Sequence, residues 1–179
     1  MEYEYILKIP KGRIAVLIGK EGEIKKEIES NTDTRMDIDS KNGEVKVMGE
    51  DPLKLYITRK IIKAISRGFN PKTAQLLLKP DYILRIISLD EFIKNKNHRK
   101  RLKGRVIGKE GKARKTIEEL TDCNMCVYGK TISIIGFVED VETAARAVIL
   151  LLEGSPHSNI FRFLEKKKKD KIGERLKRE

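Results

Sequence analysis

The sequence predicts an α+β protein made of two copies of one unit, each β-α-α-β-β-α with a three-stranded sheet packed on three helices. Three observations predict it. Ile18-Gly19-Lys20-Glu21-Gly22 recurs as Ile107-Gly108-Lys109-Glu110-Gly111, offset by 89 positions. An amphipathic run at helical spacing follows each pentapeptide, through Ile24 and Ile28 in the first copy and Ala113, Ile117 and Leu120 in the second. Each copy then continues with two short alternating stretches and one longer helical run. The 179 residues hold two small domains comfortably, and an apolar fraction of 39% is enough for a core in each.

The elements follow in order. Tyr3–Ile9 reads as a strand, and Gly12-Arg13 with the apolar run to Ile18 as the helix before the first glycine loop. After the second helix, Arg35–Asp39 and Glu44–Met48 alternate in polarity around Asn42-Gly43, a strong hairpin signal. A helix over roughly 52–67 begins with Asp51 as N-cap and Pro52 at its first position. The second copy repeats the pattern: a strand at Tyr82–Leu89, a Gly104-Arg105 helix end, strands at Asn124–Tyr128 and Ile132–Ile135 around Gly129-Lys130, and a helix over roughly 139–152 stopped by Gly154 and Pro156. The domains are therefore placed at 1–70 and 82–155. A short helical connector spans 71–81, apolar enough to pack between them. Residues 156–179 are a basic tail with no sustained apolar stripe; Phe161, Phe163 and Leu164 are expected to dock, after which the segment is expected to fray or to form an exposed charged helix.

Charge narrows the partner. There are 39 Lys and Arg against 27 Asp and Glu, a net charge of +12 with pI ≈ 9.6. Such a field points to nucleic acid or an anionic membrane. No apolar run approaches a membrane span, no leader-like segment opens the chain, and the tail lacks an apolar face, so the chain is read as soluble, cytoplasmic and without a membrane partner. The excess is uneven. Residues 1–70 carry 14 basic and 12 acidic side chains, whereas Lys94–Lys115 holds eleven basic residues against Glu110 alone. A cluster this dense repels itself unless a polyanion offsets it.

The glycine loops supply a way to hold that polyanion. Glycines let the backbone turn sharply and approach a sugar-phosphate chain without a Cβ clash. The following helix points free N–H groups and its positive dipole end at a phosphate. Lys109 adds a point charge, with Lys112 and Arg105 flanking. Val106, Ile107 and part of Met125–Val127 are candidate walls of an apolar groove for bases. A nucleotide-hydrolysing P-loop needs four residues between its glycines; Gly104 and Gly108 enclose three, and Glu110 replaces the hydroxyl that would follow the lysine.

A Gly-x-x-Gly loop between two helices, preceded by isoleucine and carrying a lysine, resembles the invariant loop of type I (eukaryotic-type) KH domains, and both units resemble that fold. The resemblance implies clamping of single-stranded RNA or DNA, about four nucleotides per loop. It is closer still to one family. Lys103–Thr121, Val127–Thr131, Ile135-Gly136 and Leu152–His157 with Phe161 are similar to the archaeal form of the partner-of-Nob-one (Dim-two) ribosome assembly factor. That resemblance implies a non-catalytic protein. It would bind single-stranded RNA at the 3′ end of small-subunit rRNA and work with the Nob endonuclease and an rRNA dimethyltransferase. On it, the RNA-clamping loop falls on Gly108, Lys109, Glu110 and Gly111, with Arg105, Lys112, Arg114 and Lys115 flanking. The residues themselves add Arg101, Lys103, Gly104, Val106 and Ile107 as candidate RNA contacts, and Gly19, Lys20, Glu21 and Gly22 in the first copy. Eukaryotic members have a degenerate first loop; here it is intact, which leaves its RNA contacts open. From Gly19 to Glu29 there are three basic and four acidic residues, so the second loop is expected to dominate.

Other readings stay beside this one. A general RNA-processing or RNA-turnover KH adaptor fits the same loops. Cys123-Asn-Met-Cys126 raises a thiol oxidoreductase or a zinc site. Yet it lies where a helix gives way to a strand, has no second CxxC, and is far in the chain from His98 and His157. No metal or cofactor is therefore expected.

Overall fold

The computed structural model describes residues 1–179, which form two units, Met1–Tyr82 and Ile83–Glu179. In the first unit, β1 (Tyr3–Lys8) leads through Pro10 into α1 (Lys11–Ile18), which the loop at Gly19–Gly22 separates from α2 (Glu23–Thr32). The hairpin β2 (Arg35–Asp39) and β3 (Glu44–Gly49) follows, then α3 (Pro52–Ser66). The sheet order is β1-β3-β2, with both pairs antiparallel. Asp51 caps α3 as its sequence position predicts, accepting from Leu53 N–H at 2.8 Å. The helices bury Leu17, Ile28, Leu55, Ile61 and Ile65 against Val45 and Val47 of the central strand.

The hairpin strands meet the turn around Asn42-Gly43 at Asp39 and Glu44, where their alternation puts them. Four residues, 40–43, join the strands. Asp39 organises them: its carboxylate accepts from the backbone N–H of Lys41 and Asn42 and from the Asn42 side chain. Gly43 takes the left-handed position at φ 71°. Residues 71–81, read as a connector, belong to the first unit. Asn70 caps the short α4 (Pro71–Ala74), which a 3-10 turn continues, and Ala74 and Leu77 are buried beside α3.

The second unit repeats the order: β4 (Tyr82–Ser88), α5 (Lys96–Ile107), the loop Gly108–Gly111, α6 (Lys112–Thr121), β5 (Asn124–Tyr128), β6 (Thr131–Phe137) and α7 (Val138–Leu152). Its sheet order is β4-β6-β5. The tail docks through Leu164, with Phe161 and Phe163 half-buried beside it, and stays packed beyond them instead of fraying there. It is a 22-residue helix, α8 (His157–Arg178), packed on α6 and α7. One apolar turn suffices to seat it: Ile160 and Leu164 enter the core of this unit. Beyond them, Lys168 Nζ donates to Glu119 O at 2.9 Å and Lys171 pairs with Asp140 at 2.6 Å. Only the last turns present Ile172 and Leu176 to solvent.

Candidate nucleic-acid interface

The two glycine loops are the same object built twice. Gly19, Glu21 and Gly22 have φ of 72°, 53° and 76°; Gly108, Glu110 and Gly111 have 74°, 55° and 75°. The glycines have different jobs. A Cβ on Gly108 would lie 2.6 Å from Ala113 Cβ and 2.7 Å from its backbone nitrogen, so this glycine lets the loop turn tightly against the start of α6. A Cβ on Gly111 would meet nothing within 4 Å. Gly111 therefore leaves the outer face of the loop open for a phosphodiester backbone. Lys109 and Glu110 are exposed between them, and α6 begins at the loop with no side chain capping its N-terminus. Free N–H groups and a positive dipole end thus face the place a phosphate would occupy.

Around this loop the structure sorts the eleven basic residues of 94–115. Arg99 pairs with Asp90 at 3.2 Å, and Arg114 lies 4.0 Å from Glu118. Arg105 corrects the expectation that it flanks a bound strand. Its Nε donates to Leu151 O at 3.1 Å and its NH2 to Ser155 O at 2.7 Å, so the guanidinium caps the end of α7. Arg13 does the same in the first unit, to Ile65 O at 2.8 Å and Phe69 O at 2.7 Å. The eight with neither a carboxylate partner nor a helix end to cap are Lys94, Lys96, Lys100, Arg101, Lys103, Lys109, Lys112 and Lys115, and all but the half-buried Lys103 are exposed.

The apolar walls also shift. Val106 is fully buried and Met125 nearly so; both face the core, not a groove. Ile107, Cys126 and Val127 are half-buried. Gly104, an exposed helix position with nothing near a Cβ, is open surface. His98 is half-buried at the start of α5, its Nδ1 accepting from Lys94 N–H at 3.2 Å. His157 Nε2 lies 2.7 Å from Arg105 O, joining the first turn of α8 to the end of α5.

One device escaped the reading by residue type. Glu118 accepts the Met125 backbone N–H at 2.8 Å, on the β5 edge that no strand covers. Glu29 accepts from Met36 N–H at 2.6 Å on β2 in the same way. Each acid has a cation four residues earlier, Arg114 or Lys25. The pairs share the 89-residue offset of the loops, and that recurrence is the signal that would have found them.

The cysteines lack the setting of a reactive pair. Cys123 is buried, donates to Thr121 O at 3.4 Å, and burial pushes its thiol up to about 12. No group of three or more His, Cys, Asp or Glu side chains is arranged to hold a metal ion, and no helix is long and apolar enough to cross a membrane.

The fold and the paired loops define a tandem type I KH protein. The eukaryotic-type KH domain (KH-domain type I) matches residues 83–169, and the KH domain matches residues 4–64. A KH domain-containing protein of Methanocaldococcus jannaschii is 46% identical over 91% of this chain and 73% of its own length. Dim2p of Pyrococcus horikoshii superposes with a TM-score of 0.86 at 45% identity, covering 92% of this chain and 99% of that one. A chain of the a/eIF2alpha–aDim2p–rRNA complex of the same organism gives 0.89 at 46%, covering 94% and 96%. The chain belongs to the archaeal Dim2/PNO1 family of RNA-binding KH proteins.

Proposed function

We propose that this protein is a small-subunit ribosome assembly factor that clamps single-stranded RNA at the 3′ end of the small-subunit rRNA. The observation that carries the reading is the set of eight cations with neither a carboxylate partner nor a helix end to cap, beside a phosphate-ready loop at Gly108–Gly111. Lys109, Lys112 and Lys115 hold the sugar-phosphate chain, Gly111 admits it, and α6 presents its N-terminus to one phosphate. Ile107 and the half-buried residues of β5 carry the bases, and Arg101 and Lys103 extend the track along α5. Gly19–Gly22 provides a second clamp of the same shape. It contributes less, because the loop and the helix after it, Gly19 to Glu29, carry four acidic residues against three basic ones.

The rRNA in the Pyrococcus complex supports the choice of RNA. Binding near this end puts the protein beside the Nob endonuclease that trims it and the dimethyltransferase that acts close by, with this protein as the non-catalytic cytoplasmic partner. The test compares Lys109→Asp/Glu110→Asp with Lys20→Asp/Glu21→Asp for binding to an oligonucleotide of the rRNA 3′ end and to a scrambled one. The second-loop variant is expected to lose far more affinity; equal losses overturn the ranking. Crosslinking and sequencing of bound RNA is expected to give one peak at the rRNA 3′ end, and peaks scattered over mRNA would overturn the assembly role in favour of a general RNA-processing adaptor.

A further inference from the structure

The first unit is close to neutral, but its charge is segregated. α3 carries Lys54, Arg59, Lys60 and Lys63 and no acid. Lys54 pairs with Asp33 at 3.0 Å; no carboxylate reaches the other three. They share the outer side of the helix with Leu53 and Tyr56, which are 65% and 48% exposed. This side adjoins β1. Arg59 NH1 donates to Tyr5 Oη at 3.0 Å and its guanidinium lies 4.7 Å over the Tyr5 ring, while Lys60 Nζ lies 5.2 Å over the Tyr56 ring. The cations are thus held in place without being neutralised.

β1 is itself an open edge, paired only with β3. Ile9 N–H donates to Gly43 O, so the alternation of an antiparallel ladder turns the N–H and C=O of Lys8, Ile6 and Glu4 away from β3. Ile6 is 63% exposed there. Nothing in the fold requires this combination. In the second unit α7 carries Glu139, Asp140 and Glu142, Glu142 accepts from Arg85 of β4 at 3.3 Å, and Arg146 lies over Phe163 of α8.

We propose that the β1 edge and the adjoining face of α3 form a docking surface for an extended acidic segment of a partner protein, which joins the sheet as a fourth strand. Its backbone pairs with Glu4, Ile6 and Lys8. Its carboxylates, at alternate positions on the helix side, meet Arg59, Lys60 and Lys63, and apolar residues between them cover Ile6. A nucleic acid fits less well: a cation already covers one face of each tyrosine ring, and the edge offers a peptide ladder that nucleotides do not match. A second copy of the chain fits less well too, because a two-fold contact would set the three cations against themselves.

The test uses the full chain, isotope-labelled, titrated with a synthetic peptide alternating glutamate and valine. Amide shifts are expected on Glu4, Ile6, Lys8 and α3, with none for a lysine-valine peptide. Arg59→Glu/Lys63→Glu, both exposed, is expected to weaken binding about tenfold or more while leaving thermal unfolding and RNA binding unchanged. Ile6→Pro deletes an N–H that β3 does not use and is expected to abolish binding. No binding, undiminished binding to these variants, shifts outside β1 and α3, occupation of the patch by single-stranded RNA, or dimerisation through it would each overturn the proposal.

Discussion

Gly108 and Gly111 share a backbone conformation and differ in what surrounds them. Gly108→Ala drives a methyl group into Ala113 as well as taking a strained φ, so a loss of more than about 2 kcal/mol is expected in denaturant unfolding. Gly111→Ala meets open space and is expected to cost only the left-handed conformation, about 1 kcal/mol. Equal losses would show that the Ala113 contact does not set the loop. Arg105 makes the same point for charge. By residue type it is one more cation in a basic window; by contact it is a helix cap whose acceptors lie 46 and 50 residues away. Arg105→Ala is expected to lower stability by about 2 kcal/mol and leave the salt dependence of RNA binding unchanged. Lys109→Ala is expected to leave stability alone and reduce the salt slope by about 0.7. Cys123, with its thiol near 12, is expected to resist alkylation at neutral pH in the folded protein. Because folding raises this value above the ordinary 9.0, its contribution to stability is complete below about pH 9 and is lost as pH rises towards 12. Cys123→Ala is expected to flatten that alkaline limb in pH-dependent unfolding.

At the scale of elements, the strands and the helices flanking the loops were legible because each carries its own periodicity and its own stop signals. The hairpin at Asn42-Gly43 was legible in its strands and its length, but not in what organises the turn. Asp39 does so with its carboxylate, which the Asn42 side-chain amide holds below the usual carboxylate range. α8 was the least legible. Ile160 and Leu164 give it a single apolar turn, and the lysines after them look like a solvated tail until Asp140 and Glu119 are seen beneath them. Its hold on the second unit is therefore expected to be steeply graded along its length. Leu164→Ala should destabilise the unit by about 2–5 kcal/mol, like any fully buried leucine, whereas Ile172→Ala should change unfolding by less than about 0.5 kcal/mol.

Across the whole molecule, the net charge of +12 resolves into surfaces with different uses. The cations around Gly108–Gly111 lie beside an open loop, whereas Arg59 and Lys60 of α3 lie over tyrosines beside the open edge of β1. RNA affinity is expected to fall with salt at a slope of about −0.7 per phosphate contacted, and the slope to shrink far more in the second-loop variant than in the first-loop variant. The sequence by itself determined the repeated β-α-α-β-β-α order, the two glycine loops and the family, because these rest on short spacings and on motifs that recur at a fixed offset. It also determined where the positive charge lies along the chain. Tertiary structure alone decided which of those charges are available. Arg99 pairs with Asp90 and Arg105 caps α7, and Val106 and Met125 belong to the core. The groups that claim Arg105 come from the end of α7 and the turn after it, brought alongside only when the second unit closes around its core.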